Sequence, residues 1–452
     1  MVKKPRILIA HTIRCLLICL GLGVVVLPAS PCRALEIAIA PQRSMIDRPV
    51  ETTVRAPAQS VVNLTFTTER FGFTFSSEAI FRVPASGILR VSDSAPLSGS
   101  YQGKHAMGLF WSAVPTGPAS KPAQDRRDSD LAPRPYTVSA SAGKVTATAT
   151  GVRVVLADDV TRQVVDSKDF VGTLFLPTQR RCSPGVIVLG GSEGGVPEEQ
   201  AAVIASHHLA TLALAYFGAP GLPTSLVNVP IEVVQRALAF LQQQPAVCPR
   251  EAAILGGSKG AELALLAASV FGGVRAVVAV KPASVVFYGL SRDTQKLQSS
   301  WSYRGEPVAF ANGPVPSAIT NENSQKESSH QRPAYVDDYL ARVRNNTDPA
   351  AIIPVQTIDA PILLVAGGAD RLWPSDYMAE QIMLRRRAMS RPFGDEFLFY
   401  PRAGHLIGIP YGFAKAELAH SSLDVGGSPE ADEGADEESW PAIIRFLQGV
   451  AR

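Results

Sequence analysis

The sequence predicts an α/β fold preceded by a smaller, all-β domain. Residues 35–157 alternate apolar and polar side chains with period two, whereas after Lys168 short apolar runs alternate with amphipathic stretches. The first pattern is typical of half-buried antiparallel strands, and the second of buried parallel strands separated by helices. The 452 residues also exceed what one hydrophobic core usually organises. We therefore expect two domains, at 35–160 and 168–452.

The first 34 residues have the pattern of a bacterial export signal. A positively charged start is followed by the apolar run 15–27 and then by small residues. This run is shorter than the roughly 20 residues that span a bilayer, which favours a cleaved signal peptide covering 1–34 and a periplasmic or secreted protein. The alternative is an uncleaved membrane anchor, in which residues 7–14 lengthen the helix. No other segment of the sequence could span a membrane.

Composition and charge favour a globular enzyme without a nucleic-acid partner. The chain is 46% hydrophobic and 18% charged, and its formal net charge is only +3. No stripe of basic residues with interleaved aromatic residues occurs in the sequence, as nucleic-acid binding would require.

Short alternating runs predict an immunoglobulin-like β-sandwich at 35–160. Residues 61–66 and 71–75 are examples of such runs, and turn clusters such as 84–87 separate them. About seven short strands are expected from this spacing. The charged, Pro-rich stretch 116–134 is predicted to be a long exposed loop of this domain.

The second domain is predicted to contain a parallel sheet. Its candidate strands are 185–189, 210–216, 252–255, 276–280, 361–366 and 396–400. The long polar stretch 288–353 is expected to form a lid or cap over this sheet. Near the end, residues 429–439 are acidic and precede a predicted apolar helix at 440–450, an arrangement that suits the positive end of a helix dipole.

The strongest chemical signal is the sequence GGSKG at 256–260, which matches the G-x-S-x-G nucleophile elbow. It follows the predicted strand 252–255 and precedes a predicted helix at 261–269. Such a sharp turn holds the serine in strained geometry, and glycines avoid collisions around it. Ser258 is therefore the predicted nucleophile, and the backbone N–H of Lys259 is a predicted oxyanion donor.

The acid and base of a catalytic triad are predicted after later strands. Asp370 follows the strand 361–366, and His405 follows the strand 396–400 through a Gly-containing turn. The resulting order of serine, aspartate and histidine is the order of α/β-hydrolases. Asp376, in the same loop as Asp370, is the rival candidate for the acid.

A Gly-rich loop at 190–195 is expected to complete the oxyanion hole. Its candidate donors are the backbone N–H groups of Gly191 and Ser192. The loop has neither G-x-G-x-x-G spacing nor a following Gly-Lys-Ser, so no nucleotide cofactor is expected. His207 and His208 are adjacent and have no partner four residues away, so no metal site is expected either. The sequence thus predicts an enzyme without a cofactor.

Two cysteines remain after the predicted signal, Cys182 and Cys248. Each precedes an apolar run that ends in a Gly-Gly turn. If these runs are neighbouring parallel strands, the two thiols lie at the same edge of the sheet, where an oxidising compartment would join them. We therefore predict a Cys182–Cys248 disulfide, the alternative being two unpaired buried thiols.

With these residues in place, the chain resembles the family of acyl-CoA thioesterases and bile acid-CoA:amino acid N-acyltransferases. The resemblance covers nearly all of the predicted mature length. It lies in the segments 101–103 (YQG), 109–112 (LFWS), 172–177 (GTLFLP), 184–187 (PGVI), 212–217 (LALAYF), 257–262 (GSKGAE) and 372–375 (LWPS). It implies an N-terminal β-sandwich and a C-terminal α/β-hydrolase domain, with nucleophile, acid and base at Ser258, Asp370 and His405.

The resemblance also implies a reaction. Members with a cysteine nucleophile are acyltransferases and members with serine are thioesterases, so Ser258 implies hydrolysis of an acyl-CoA to a carboxylic acid and CoA. Export would remove the enzyme from the cytosol, where acyl-CoA is found. An exported carboxylesterase or an acyl-CoA:amine N-acyltransferase with the same triad is therefore the alternative. A non-catalytic binding protein is a third reading, which the intact triad disfavours.

Overall fold

A computed structural model describes residues 35–118, 131–165, 167–291, 297–389 and 394–449. The predicted signal at 1–34 and the central part of the predicted loop 116–134 lie outside the described residues. No helix within the described ranges is long and apolar enough to cross a membrane.

The N-terminal part folds into two sheets. Strands β1, β3 and β6 form an antiparallel three-stranded sheet, and a seven-stranded sheet has the order β2-β10-β9-β4-β5-β7 with β8 also on β5. The elements are β1 (Glu36–Ala40), β2 (Arg43–Met45), β3 (Glu51–Arg55), β4 (Val61–Arg70), β5 (Phe73–Arg82), β6 (Ile88–Arg90), β7 (Ser98–Gly99), helix α1 (Gly108–Trp111), β8 (Val114–Thr116), β9 (Arg134–Ala142) and β10 (Val145–Val154).

Alternation along these strands produces the predicted sandwich. Every second residue of β4 is buried, among them Leu64 and Phe66. These side chains share one apolar cluster with Val54 and Leu89 of the smaller sheet. The strands are more numerous than the predicted seven, because several are pieces of two or three residues whose short length leaves no clear period in the sequence.

The remaining chain is organised around an eight-stranded sheet of order β11-β12-β14-β13-β16-β17-β20-β21. Its strands from β14 to β21 run parallel, while β11 and β12 are antiparallel additions at one edge. The strands are β11 (Val160–Val164), β12 (Val171–Pro177), β13 (Ser183–Leu189), β14 (Ala210–Ala215), β16 (Val247–Gly257), β17 (Val274–Val280), β20 (Ile362–Gly367) and β21 (Glu396–Tyr400). A small sheet contains β15 (Val229–Pro230), β18 (Trp301–Tyr303) and β19 (Glu306–Pro307).

All six strands predicted for this sheet are present, with boundaries shifted by a few residues. The sheet begins earlier than predicted, at Val160 rather than Lys168, because β11 pairs with β12. After its first residue β11 is exposed, so this edge strand lacks the apolar run by which the other strands are visible in the sequence.

Helices cover both faces of the sheet, and apolar side chains of alternating strand positions form a separate core on each face. The helices are α2 (Glu198–Ala205), α3 (Glu232–Gln242), α4 (Lys259–Val270), α5 (Ser317–Ser328), α6 (Val336–Arg344), α7 (Ser375–Arg387), α8 (Ala414–His420) and α9 (Pro429–Gln448), with 3₁₀ turns at Pro349–Ala351 and Val355–Thr357. The predicted cap at 288–353 contains β18, β19, α5 and α6.

Helix α9 differs from the prediction. The acidic stretch 429–439 was expected to precede a helix, but it forms the first half of one. Ser428 caps the helix by accepting the Ala431 N–H, and Pro429 occupies the first helical position, where its missing N–H costs nothing. Three of its carboxylates, Asp432, Glu433 and Asp436, are buried.

Cys182 and Cys248 are joined in a disulfide, with 5.6 Å between their Cα atoms. Cys182 directly precedes β13, and Cys248 lies in the first part of β16. Because β13 and β16 are neighbouring parallel strands, the bond ties together the beginnings of the two strands that lead to the site.

Candidate active site

Ser258 lies in the sharp turn between β16 and α4. Its backbone angles, φ 54° and ψ −119°, are strained for a residue with a side chain. A Cβ atom at Gly256 would lie 2.1 Å from the Gly260 carbonyl oxygen, and one at Gly260 would lie 2.2 Å from the Gly190 carbonyl oxygen. Only glycine fits at these two positions, which explains why the turn requires the G-x-S-x-G pattern.

The three residues predicted as a triad lie together. His405 Nε2 is 3.0 Å from Ser258 Oγ, and His405 Nδ1 is 2.8 Å from Asp370 Oδ2. Asp370 and His405 are 6% and 7% exposed, whereas Ser258 is half-buried at the floor of a cavity. In this arrangement the carboxylate accepts a hydrogen bond from Nδ1–H, which leaves Nε2 unprotonated and able to accept the proton of the serine hydroxyl.

The carboxylate of Asp370 is oriented by its own loop. Its Oδ1 accepts the backbone N–H groups of Leu372 and Trp373, and its Oδ2 also accepts the Ser375 hydroxyl. The rival acid Asp376 instead accepts the N–H of Tyr377 within its own helix. The structure therefore brings Asp370, rather than Asp376, to the histidine.

The three predicted oxyanion donors have different surroundings. The Lys259 N–H lies in the first turn of α4, where a helix provides no acceptor of its own. Ser192 lines the cavity that contains Ser258. The Gly191 N–H, however, donates to Glu193 Oε1 at 2.7 Å, so its hydrogen is not available to an oxyanion in this arrangement. Gly191 is thus the predicted donor that the structure does not support.

Tyr216, which directly follows β14, contacts the Gly-rich loop 190–195 through its hydroxyl. Its buried hydroxyl lies 2.7 Å from the Gly190 carbonyl oxygen and 2.9 Å from that of Gly191. Burial raises the pKa of this hydroxyl, which keeps it protonated as a donor. Tyr216 lies at the carboxyl end of a predicted strand, but no local sequence pattern indicates that its hydroxyl donates to the Gly-rich loop.

The side chain of Lys259 belongs to a buried hydrogen-bond network. Its Nζ lies 3.0 Å from Glu262 Oε2 and 3.1 Å from the Tyr288 carbonyl oxygen. Glu262 Oε1 accepts the indole N–H of Trp301 and the N–H of Phe287. Burial lowers the pKa of Lys259 and raises that of Glu262. The pair connects the nucleophile helix to the segment that covers the cavity.

The cavity above Ser258 has a volume of about 310 Å³ and a largely apolar wall. The wall includes Tyr288, Leu290, Tyr335, Tyr339, Leu372 and Trp373. Four of these six residues come from the predicted cap, which therefore covers Ser258. An apolar group could occupy this space while its carbonyl faces Ser258.

No group of three or more histidine, cysteine or acidic residues in the described part of the chain is arranged to hold a metal ion. His207, considered above as a metal ligand, contacts Asp47 through Nε2, and Asp47 also accepts the indole N–H of Trp440. These contacts connect the N-terminal sheets to α9.

Comparison with known proteins identifies the family. The model described as "Acyl-CoA thioester hydrolase/BAAT N-terminal region" matches residues 47–167, and the model described as "BAAT / Acyl-CoA thioester hydrolase C terminal" matches residues 229–450. Together the two matches cover well over half of the chain.

Individual relatives belong to the same family as the two matching models. Mitochondrial acyl-coenzyme A thioesterase 2 of Mus musculus is 29% identical over 419 residues, which are 90% of this chain and 87% of that protein. Acyl-coenzyme A thioesterase 1 of Homo sapiens is 28% identical over 412 residues, covering 89% of this chain and 93% of its own. Among solved structures, a dienelactone hydrolase-like promiscuous phosphotriesterase from metagenomic libraries aligns with 65% of this chain and 99% of its own, with a TM-score of 0.40 and 16% identity. The two family matches show that the chain belongs to the BAAT/acyl-CoA thioester hydrolase family, in which the relatives named above are thioester hydrolases.

Proposed function

We propose that this enzyme hydrolyses acyl thioesters through a covalent acyl-enzyme on Ser258. The observation that carries the proposal is the pair of distances from His405 to Ser258 Oγ and Asp370 Oδ2, 3.0 Å and 2.8 Å. A serine hydroxyl is a weak nucleophile at neutral pH, and a neighbouring imidazole held by a carboxylate is what activates it.

In the first half-reaction, Ser258 Oγ attacks the substrate carbonyl carbon while His405 Nε2 accepts the hydroxyl proton. The carbonyl oxygen becomes negatively charged, and the N–H groups of Lys259 and Ser192 are the proposed donors to it. When the carbonyl re-forms, the bond to the thiol breaks and His405 returns the proton to the leaving sulfur. In the second half-reaction, His405 takes a proton from water, whose oxygen attacks the carbonyl carbon of the acyl-serine. His405 then gives this proton to Ser258 Oγ as the acyl–Oγ bond breaks, which releases the carboxylic acid and restores the serine.

An acyl-CoA is the leading substrate. The family assignment supports a CoA thioester, and the apolar wall of the cavity supports an apolar acyl group. The alternatives are an exported carboxylesterase and an acyl-CoA:amine N-acyltransferase that use the same triad. The Cys182–Cys248 disulfide supports an oxidising compartment and so gives the carboxylesterase a specific argument.

A single panel of substrates distinguishes these activities. Purified residues 35–452 are incubated with acyl-CoAs of increasing chain length and with p-nitrophenyl esters of the same acids, with and without added glycine. Free acid and amide are quantified by mass spectrometry. We expect the acyl-CoAs to have the higher kcat/KM and free acid to be the product. A preference for esters would support the carboxylesterase, and amide formation would support the transferase.

The covalent intermediate is tested separately. We expect acid-quenched enzyme to carry the acyl group on the peptide that contains Ser258, as seen by mass spectrometry, and Ser258→Ala to lose both the adduct and turnover while remaining folded. Turnover by folded Ser258→Ala would contradict the proposed mechanism.

We also propose that residues 1–34 direct export. When the full-length chain is produced in a bacterium, cell fractionation should locate the protein in the periplasm or the medium, with a mass that lacks 1–34. Recovery of the uncleaved chain in the membrane fraction would support the anchor instead, and recovery of the full-length chain in the cytosol would contradict export.

A further inference from the structure

The loop that carries the base, residues 404–411, is held by polar side chains at two of its peptide groups. The first is the peptide group between Ala403 and Gly404, and Gly404 is the residue before His405. Its carbonyl oxygen accepts the Ala369 N–H at 3.0 Å, and its N–H donates to Asp432 Oδ1 at 2.6 Å. This peptide group therefore has both of its polar atoms fixed, one of them by the residue that precedes Asp370.

The second is the peptide group between Ile407 and Gly408, just after His405. Lys281 Nζ donates to its carbonyl oxygen at 2.7 Å, and its N–H donates to Asp436 Oδ1 at 2.6 Å. A side-chain donor and a side-chain acceptor thus fix the opposite ends of one planar unit, which sets both its position and its orientation. His405 lies between the two fixed peptide groups.

The side chains that fix the loop come from α9 and from the residue that follows β17. Asp432 and Asp436 are four residues apart in α9 and so lie on one face of it. Lys281 directly follows β17, and the carbonyl oxygen of its neighbour Val280 accepts the N–H of Ser258. The nucleophile and the base loop are therefore connected through two consecutive residues, 280 and 281.

Asp432 and Asp436 are buried and Lys281 is half-buried, and several titratable side chains lie close to them. Lys281 is close to Asp370, Asp432, Asp436 and Glu193. Glu417, in α8, and Glu433, in α9 itself, are also close to Asp436, and Glu433 accepts the Tyr411 N–H at the end of the loop. Buried ion pairs are weak contributors to stability, because desolvation offsets their attraction. Apolar residues would fill this space without the desolvation free energy of buried polar groups, but they could not orient a peptide group.

We propose that Lys281, Asp432 and Asp436 are positioning residues that hold the base loop so that His405 Nε2 reaches Ser258 Oγ. The inference rests on the proposed function, in which His405 is the base. It predicts that loss of an acceptor in α9 lowers kcat and leaves KM nearly unchanged, since the cavity wall does not include these residues. A misplacement of about 1 Å in catalytic geometry can lower the rate about 10²-fold.

The test compares Asp436→Ala with Asp436→Asn. The asparagine keeps an oxygen that accepts the Gly408 N–H, whereas alanine removes the acceptor. For the best substrate of the panel, we expect kcat of Asp436→Ala to fall about 10- to 100-fold and kcat of Asp436→Asn to remain within about threefold of wild type. Lys281→Met should behave like Asp436→Ala. The matched control is Glu438→Ala, in the same helix but exposed to solvent.

Folding is checked in each variant by circular dichroism, and kcat is expressed per folded enzyme. A kcat of Asp436→Ala equal to that of Glu438→Ala would overturn the inference, as would equal losses in the alanine and asparagine variants. Should Asp436→Ala not fold, hydrogen exchange of wild type decides: amides of 404 and 408 must exchange far more slowly than those of an exposed loop. An inactive wild type would instead remove the proposed function itself.

Discussion

The carboxylate of Asp370 accepts hydrogen bonds from two backbone N–H groups and one hydroxyl besides the bond to His405. This places one oxygen on the histidine and the other on the loop. The orientation matters because only a carboxylate can accept the Nδ1 proton and also stabilise the imidazolium that forms.

We therefore predict that Asp370→Asn lowers kcat about 10³- to 10⁴-fold, because an amide there favours the wrong histidine tautomer. The matched control is Asp376→Asn. Asp376 is the second residue of α7, and its carboxylate accepts the N–H of Tyr377 instead of contacting the histidine. Steady-state kinetics on the preferred substrate measure both. Similar losses in the two variants would contradict the assignment of the acid.

Tyr216 gives a second prediction at this scale. Tyr216→Phe removes the donor to the carbonyl oxygens of Gly190 and Gly191 and should let the loop that carries Ser192 move. Loss of one such buried hydrogen bond should lower kcat about tenfold with little change in KM. Tyr303→Phe is the control, because Tyr303 is a half-buried tyrosine that lies away from the cavity. An unchanged kcat for Tyr216→Phe would show that the loop does not need the hydroxyl.

The positions of Ser258, Asp370 and His405 in one cluster could be predicted from the sequence, because each follows a strand in a local pattern that the fold requires. Ser258 lies in a turn where a Cβ atom at Gly256 or Gly260 would come within 2.5 Å of a backbone oxygen, so both positions require glycine. Tyr216 and Lys281 carry no such local pattern. Their roles depend on which distant backbone groups lie beside them, and these contacts exist only once the sheet has formed.

At the scale of elements, α9 has a pH dependence that can be measured. Burial raises the pKa of Asp432 from 3.8 to about 6. Between these values the folded protein holds a proton that the unfolded chain releases, so the free energy of unfolding falls as pH rises through this window.

Asp432→Asn does not titrate, so its unfolding free energy should fall less than that of wild type between about pH 4 and 6, by up to about 3 kcal/mol. Urea unfolding at a series of pH values measures the difference, with Glu438→Gln as the control in the same helix. Parallel curves for Asp432→Asn and wild type would contradict the raised pKa.

The elements also show which sequence patterns are informative. The parallel strands were predicted within a few residues, because their apolar runs reflect burial on both faces. The acidic stretch 429–439 was expected only to precede a helix, and acidic residues are rarely buried. Three of its carboxylates, those of Asp432, Glu433 and Asp436, are nevertheless buried. They are buried here because backbone N–H groups of the base loop provide donors, and no pattern within 429–439 encodes those donors.

At the scale of the whole molecule, the disulfide closes a loop between residues 66 positions apart. Restricting the unfolded chain in this way should stabilise the protein by about 4 kcal/mol. We expect reductant to lower the urea midpoint of wild type, and the double variant Cys182→Ser, Cys248→Ser to have the lower midpoint with or without reductant. A wild-type midpoint that does not respond to reductant would contradict this expectation.

The order of elements along the chain has a consequence for biosynthesis. Ser258, Asp370 and His405 all precede α9, so a nascent chain contains these three residues before it contains the helix that accepts the N–H groups of Gly404 and Gly408. Chains that end before Pro429 should therefore possess the triad residues but not their activity. On the proposed mechanism, the site becomes competent only once α9 has docked, after synthesis has passed Ser258, Asp370 and His405.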